Sequence, residues 1–249
     1  MPLIEKRRDE LVYFQFEEFN NYSHIFNHLF SSRIGWDKDK NKMKEQIASI
    51  MDIPKENVID VKQVHGTDII VVDSDLKDSG DNRQLEGDGL VTNLSKISLI
   101  TYHADCVPIF FADVSNRVVG LAHSGWKGTL NNISGKMINL MEKHFNSKTK
   151  NILIGIGPSI GACCYEVKED LIQVFTKKYS HFNNIFRVDG GKTFLDLWRV
   201  IYLQILDEGI PKENIIAANT CTSCNVDKFY SYRKEKGIDK RMVAAISLI

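Results

Sequence analysis

Two histidines and one cysteine stand where short apolar runs give way to loops. His65 follows the run 58–64 and precedes Gly66, and His123 follows the run 117–122 and precedes Ser124-Gly125-Trp126-Lys127-Gly128. Cys106 lies in His103-Ala104-Asp105-Cys106-Val107-Pro108, again at the end of an apolar run. Such strand ends are where α/β folds build ligand sites. Two imidazoles and a thiolate suit Zn²⁺, which is borderline-soft and accepts both ligand types. Three protein ligands leave a fourth position open, the mark of a catalytic zinc whose bound water has a pKa of about 7. The spacings match no local zinc motif, and a cysteine in a β-rich core is often a small buried hydrophobe. His103 competes as a ligand, but on a straight strand residues three apart point to opposite faces, which separates it from Cys106. The same atoms support a rival, a Cys106 thiolate activated by His123 in a Cys-His hydrolase arrangement.

Anion sites are also legible. Ser124-Gly125-Trp126-Lys127-Gly128 leads into a helix, so its backbone N–H groups and Lys127 favour phosphate or a developing anion. Arg33, in Ser31-Ser32-Arg33-Ile34-Gly35, is a second candidate clamp. Gly155-Ile156-Gly157-Pro158-Ser159-Ile160-Gly161 would let a ligand approach the backbone, yet no Gly-Lys-Ser/Thr follows to make it a P-loop. Cys221-Thr222-Ser223-Cys224 has redox-motif spacing without the βαβ context and without a second C-x-x-C to complete a zinc site, so it reads as structural. Cys163-Cys164 is expected to pack near the turn 155–161.

The elements that must position these groups follow from periodicity. Leu11–Phe16 reads as a buried strand, and residues 37–51 carry Met43, Ile47 and Ile50 at helical spacing. Residues 58–124 are β-rich, with strands expected in 58–64, 67–73, 88–93, 97–102, 107–113 and 117–124 and a surface loop at 74–84. Beyond them, helices are expected at 125–144, 168–178 and 193–207. Strands are expected at 151–159, 215–220 and 242–249. The class is α/β or α+β with mixed sheets flanked by helices, in a single domain over residues 1–249.

Lys and Arg total 32 and Asp and Glu total 32, a net charge of 0, so no global field draws in nucleic acid or an anionic membrane. With 43% hydrophobic and 26% charged residues the chain is an ordinary globular one, not a disordered one. The first ten residues have no apolar signal region, and no window approaches the roughly 18 apolar residues of a membrane span. A cytoplasmic location is expected, and 5 cysteines, two of them adjacent, do not suit a secreted disulfide framework.

Several of these segments together carry a resemblance. Val61-Lys62-Gln63-Val64-His65-Gly66, Ala104-Asp105-Cys106-Val107-Pro108, the stretch from Gly120 to Gly128, Ile156-Gly157-Pro158-Ser159-Ile160-Gly161 with Cys164-Tyr165-Glu166-Val167, and Cys221-Thr222 resemble the multicopper polyphenol oxidase (laccase) domain family, also described as a family of purine nucleoside phosphorylases. Matches run in order from His28 to Arg241. The resemblance implies a layered α/β domain and a zinc held by His65, Cys106 and His123. It implies phosphorolysis of adenosine, inosine, guanosine and methylthioadenosine to base and ribose 1-phosphate, with hydrolytic deamination of adenosine as a second reaction. It also places His28 and Arg33, in His28-Leu29-Phe30-Ser31-Ser32-Arg33, in a motif expected to bind substrate or phosphate together with Lys127.

This chain departs from the family pattern at three places. Gly35-Trp36-Asp37 replaces Gly-Gly-Val-Ser, Lys127 replaces the arginine of GWRG, and Lys240-Arg241 replaces Gly-Arg. Lysine keeps the charge and loses the bidentate fork. Either Asp88 or Asp105 could move protons in the deamination, by analogy with zinc base deaminases. The laccase name suggests copper and phenol oxidation, but a multicopper cluster needs many histidines and the chain has no His-x-His pair, which ranks a copper-dependent polyphenol oxidase below the nucleoside enzyme and leaves copper as the alternative ion.

Overall fold

Strands that read as unbroken apolar runs must be covered on both faces, and here two sheets and flanking helices cover them. The computed structural model describes residues 2–78 and 85–249. The first sheet has the order β1 (Leu3–Arg8), β2 (Leu11–Phe16), β3 (Phe26–Ser31), β15 (Met242–Leu248), β7 (Ser98–His103), β4 (Val58–Ile59). It is antiparallel except where β4 joins β7. The second sheet runs β14 (Ile215–Ala217), β10 (Ile152–Ile156), β8 (Val107–Asp113), β9 (Val118–Ser124), β6 (Gly89–Thr92), β5 (Ile69–Val71), with parallel pairs at both edges. A third, antiparallel sheet joins β11 (Glu166–Val167), β13 (Lys192–Leu195) and β12 (Phe186–Asp189).

Every residue of β7, β8 and β9 is buried, and alternate side chains go to different cores. Phe110 and Leu121 meet Phe16, Phe30, Leu99 and Ile246 between the two large sheets. Ile109, Phe111 and Ala122 meet Met137, Ile138, Val200 and Ile201 of α4 (Ile133–Phe145) and α6 (Leu197–Asp207), with Phe175 of α5 (Glu169–Lys178). On the far face of the first sheet, Leu29, Ile100 and Val243 pack on Met43, Ile47 and Ile50 of α1 (Lys40–Met51). The architecture is therefore the layered mixed-sheet α+β arrangement expected. Among the described residues no helix is long and apolar enough to cross a membrane.

Local departures have local causes. The expected strand 58–64 is regular only at Val58–Ile59, because side chains take over the ladder's work. Gln63 pairs its amide with the Tyr102 backbone (Nε2 to O, 2.9 Å; Oε1 to N, 2.7 Å), and the Asp88 carboxylate receives the N–H groups of 64–66. The expected loop 74–84 begins with a short helix, α2 (Ser74–Asp78); residues 79–84 lie outside the described residues. The expected helix 125–144 is two, α3 (Trp126–Leu130) and α4, divided at Asn132 (φ 54°), whose side chain accepts from Gly135 N. The expected helix 193–207 starts as β13, and Asp196 then caps α6 by accepting from Arg199 N at 2.9 Å. Strands β1 and β3 carry no clear alternation of apolar and polar residues, and β12 alternates over only four residues, Phe186–Asp189; none of the three is expected from the sequence.

Candidate metal centre and its cavity

β7 ends in the first sheet and β8 begins in the second, so the turn at residues 104–106 carries the chain from one sheet to the other. Asp105 makes this possible with φ 84°, and Ile160 N donates to its backbone oxygen at 2.9 Å. A straight strand through this segment is thereby corrected. Cys106 leaves the turn on its own, while His103 is closed off, with Nε2 2.8 Å from Thr101 Oγ1 and Nδ1 3.1 Å from Cys106 O. His123 arrives from β9, where the register sets it opposite Pro108. His65 arrives from the loop after β4 with a left-handed φ of 59°. Side chains other than glycine avoid that region at a cost of about 1 kcal/mol or more, so two of the site's residues are held against local preference.

The three ligand atoms offered by His65, Cys106 and His123 all lie within 4.8 Å of one another. The rings of His65 and His123 meet edge to face at 4.9 Å between centroids. Gly125 clears the space beside them: a Cβ there would stand 3.0 Å from Cys106 Sγ and 3.2 Å from His65 Cδ2. Asp88, fully buried, fixes the set from behind. Its Oδ1 accepts from His123 Nδ1–H (2.8 Å) and His65 N (3.1 Å), and its Oδ2 from Val64 N (3.2 Å) and Gly66 N (2.5 Å). A carboxylate only accepts, so His123 must carry its proton on Nδ1 and keep Nε2 for a ligand.

Without an ion the electrostatics are those of a thiolate–imidazolium pair, whose proton an incoming metal would displace. Burial raises the Cys106 thiol, but the charge and hydrogen bonds of His123 and His65 outweigh it and bring it down to about 6. Burial lowers His123, but the Cys106 thiolate and Asp88 outweigh it and raise it to about 9. For Asp88 burial also works upward, and the hydrogen bonds from His123, Gly66 and Val64 hold it below the usual carboxylate value. His103 is pushed well down by burial and by the neighbouring His123 charge. Two nitrogens and a ready thiolate, oriented by a buried carboxylate, are the donor chemistry of a zinc or copper centre.

A cavity of about 710 Å³ opens on this set. His65, Cys106, His123 and Asp105 line it, as do the aromatic residues Tyr102, Trp126, Tyr165 and Tyr232 and the cationic residues Lys40, Lys62, Arg233 and Arg241. Asp105 turns its carboxylate into a hydrogen-bond network, accepting from Thr222 Oγ1 (2.6 Å), Ser231 Oγ (3.1 Å) and Arg233 N (2.7 Å).

Residues 35–249 match the family described as multi-copper polyphenol oxidoreductase laccase. The chain belongs to this family. It is 34% identical over 211 residues to purine nucleoside phosphorylase YlmD of Geobacillus stearothermophilus, covering 82% of this chain and 76% of that one. It is 36% identical over 194 residues to purine nucleoside phosphorylase CA_C1699 of Clostridium acetobutylicum, covering 76% of this chain and 78% of the relative. Among solved structures, the YlmD protein of Geobacillus stearothermophilus superposes with a TM-score of 0.86 at 28% identity over 99% of each chain. The hypothetical protein YfiH of Bacillus licheniformis does so at 0.87 and 26%, over 100% of this chain and 99% of that one. Relatives named as purine nucleoside phosphorylases support an enzyme.

Within this laccase-family fold the expected site residues separate. His65, Cys106 and His123 converge, Asp88 stands behind them, and Asp105 reaches the cavity. His28, Arg33 and Lys127 do not line it. His28 is sealed among Phe16, Phe19, Phe26 and Phe110, accepts the Phe16 N–H at 2.7 Å, and is lowered to about 3 by burial, so it is a packing residue with no charge for phosphate. Arg33 is committed to Glu235 (3.2 Å), to the backbone oxygens of Val226 and Phe229, and to the Tyr230 ring. Lys127 lies over the Trp126 ring on a five-residue helix. Cations missing from the sequence reading take their place. Arg241 is the arginine of the family's late Gly-Arg, here Lys240-Arg241, with no role read from it, and Arg233 carries no spacing signal at all.

Proposed function

We propose that the protein is a zinc-dependent purine nucleoside phosphorylase, taking adenosine, inosine, guanosine or methylthioadenosine with phosphate to free base and ribose 1-phosphate. The observation that carries this reading is one cavity lined at once by a His-Cys-His set, by guanidinium groups and by aromatic faces. The names of the relatives favour the same reaction class. His65, Cys106 and His123 would hold the ion, which when bound supplies a Lewis acid in the cavity. Zinc is preferred to the copper of the family's description because the His65/Cys106/His123 group, among the described residues, offers only two imidazoles.

The chain's own groups have definite tasks. Arg233 and Arg241 present forked N–H donors suited to phosphate oxygens. Arg233 is braced over the Tyr165 ring at 5.0 Å and by Glu166 O at 2.9 Å, and Arg241 by Ile238 O and Lys240 O. Phosphate held there would attack C1′ as the bond from C1′ to the purine nitrogen breaks and its electron pair leaves with the base. Tyrosine and tryptophan faces would stack the flat purine. Deamination of adenosine is proposed as a second reaction of the same site. Asp105 is the carboxylate for its proton transfers because it lines the cavity, which Asp88 does not, although its carboxylate also accepts three internal hydrogen bonds.

The test is to incubate zinc-loaded protein with inosine and phosphate and measure ribose 1-phosphate and hypoxanthine. Phosphate-dependent release is expected, and Arg241→Gln should raise the phosphate KM about 10-fold to 100-fold, the worth of a charge-assisted hydrogen bond. Base release that ignores phosphate, or an unchanged KM, would overturn the assignment. Turnover that survives full chelation would instead support Cys106 as a nucleophile with His123 as its base.

A further inference from the structure

Away from the cavity a second group of potential ligands converges. The Sγ atoms of Cys163, Cys164, Cys221 and Cys224 all lie within 4.8 Å of one another, with Cys224 3.5 Å from Cys163 and 3.4 Å from Cys164. We infer that these four cysteines form a tetrathiolate site for one zinc-class divalent ion.

The geometry fits that ligand. Zn–S bonds of about 2.3 Å arranged tetrahedrally place neighbouring sulfurs about 3.8 Å apart. Each sulfur here has three sulfur neighbours, an arrangement around a common centre rather than of covalent couples. Iron–sulfur clusters share their cysteines among two or more irons and so spread the sulfurs further. Four thiolates close the coordination sphere, which makes the site structural and not catalytic.

The fold supplies what the spacing lacked. Cys221-x-x-Cys224 has no second C-x-x-C in the chain, and the adjacent pair Cys163-Cys164 takes that role. Consecutive side chains can converge because residues 162–164 form a turn, with Cys164 N and Tyr165 N both donating to Gly161 O. The other half is also a turn, tied by Asn225 N to Thr222 O and by Asn225 Nδ2 to Cys221 O. Gly161 N–H donates to Cys221 Sγ at 3.3 Å, which fixes that sulfur against the turn. Cys163 and Cys224 are exposed, leaving a path for the ion to enter.

Such an ion would fasten the segment after β10 to the segment after β14. These segments already meet through Ser159 N to Thr220 O and Thr222 N to Ser159 O. Between them they deliver Ile160 and Tyr165 to the cavity wall and Thr222 to the Asp105 carboxylate. The tetrathiolate site is therefore a clamp on one wall of the candidate active site.

Co²⁺ titration of metal-free, reduced protein tests this. In Cys106→Ala, which lacks the first site, the sulfur-to-cobalt charge-transfer and tetrahedral d–d bands of a tetrathiolate should saturate at about one equivalent. In Cys106→Ala combined with Cys224→Ser, which keeps three thiolates, the charge-transfer bands should weaken and cobalt should bind less tightly. No such bands in Cys106→Ala, or bands and affinity that the Cys224 change leaves unaltered, would overturn the inference. The unsubstituted, zinc-loaded protein gives an independent measurement that does not depend on how a variant folds. Its exposed Cys163 and Cys224 should resist a thiol reagent until chelator is added, and immediate reaction of both would refute the site.

Discussion

Replacing Asp88 by Asn changes one oxygen to an NH₂ group and removes a charge while leaving the shape. In the structure both carboxylate oxygens are saturated, Oδ1 by His123 Nδ1–H and His65 N, Oδ2 by Val64 N and Gly66 N. An asparagine keeps only one acceptor, so either orientation turns an amide donor against two protein donors. If Oδ1 survives, the N–H groups of Val64 and Gly66 lose their partner, and the loop carrying His65 is freed. If Oδ2 survives, His123 loses the bond that sets its tautomer. Each of the two donors left without an acceptor costs about 1–3 kcal/mol, which gives a destabilisation of about 2–6 kcal/mol for the metal-free protein. Loss of a carboxylate that orients a ligating histidine lowers metal affinity about 10-fold to 100-fold. Urea unfolding of the metal-free protein and zinc titration against a competing chelator measure the two effects separately. Zinc affinity within twofold of the parent, in a variant that is destabilised as expected, would show that Asp88 holds the loop but does not act on the ligands.

Gly125→Ala should weaken zinc binding at least tenfold by crowding Cys106 Sγ and His65, since φ at Gly125 is −77° and the backbone itself tolerates alanine; unchanged affinity in the same chelator competition would refute the crowding. Acid stability should depend on His28. Folded His28 stays neutral to about pH 3 while the unfolded chain takes up its proton near pH 6.5, so this contribution is full above pH 6.5 and falls as pH drops towards 3. At pH 4.5 the loss is about 3 kcal/mol. His28→Gln, which keeps an acceptor for Phe16 N–H, should shrink the stability difference between pH 7 and 4.5 by about that amount; an unchanged difference in urea unfolding would be the contrary result.

The convergence of His65, Cys106 and His123 was legible because each stands at the end of an apolar run, and the resemblance supplied the order of the motifs. What spacing could not give was direction. His28 lies in a family motif, yet β3 turns it inward between the sheets, where desolvation keeps it neutral. Arg33 looks like an anion clamp until Glu235, 202 positions away, is seen to neutralise it. Arg233 reaches the cavity because Asp105 captures its backbone N–H, a contact between residues 128 apart. Helix ends were blurred where a side chain decides them, as Asn132 and Asp196 do. The four-cysteine group was hidden for the same reason, its halves being separated by α5, the third sheet and α6.

The strand β15 lies in the middle of the first sheet, between β3 and β7. β7 ends at His103 and β15 begins at Met242, so the pairing that joins the two halves of this sheet spans 139 positions. Closure over so long a stretch of chain is slow, and unpaired edges recruit other chains. Soluble yield of the overproduced protein should therefore rise with slower translation or added chaperone.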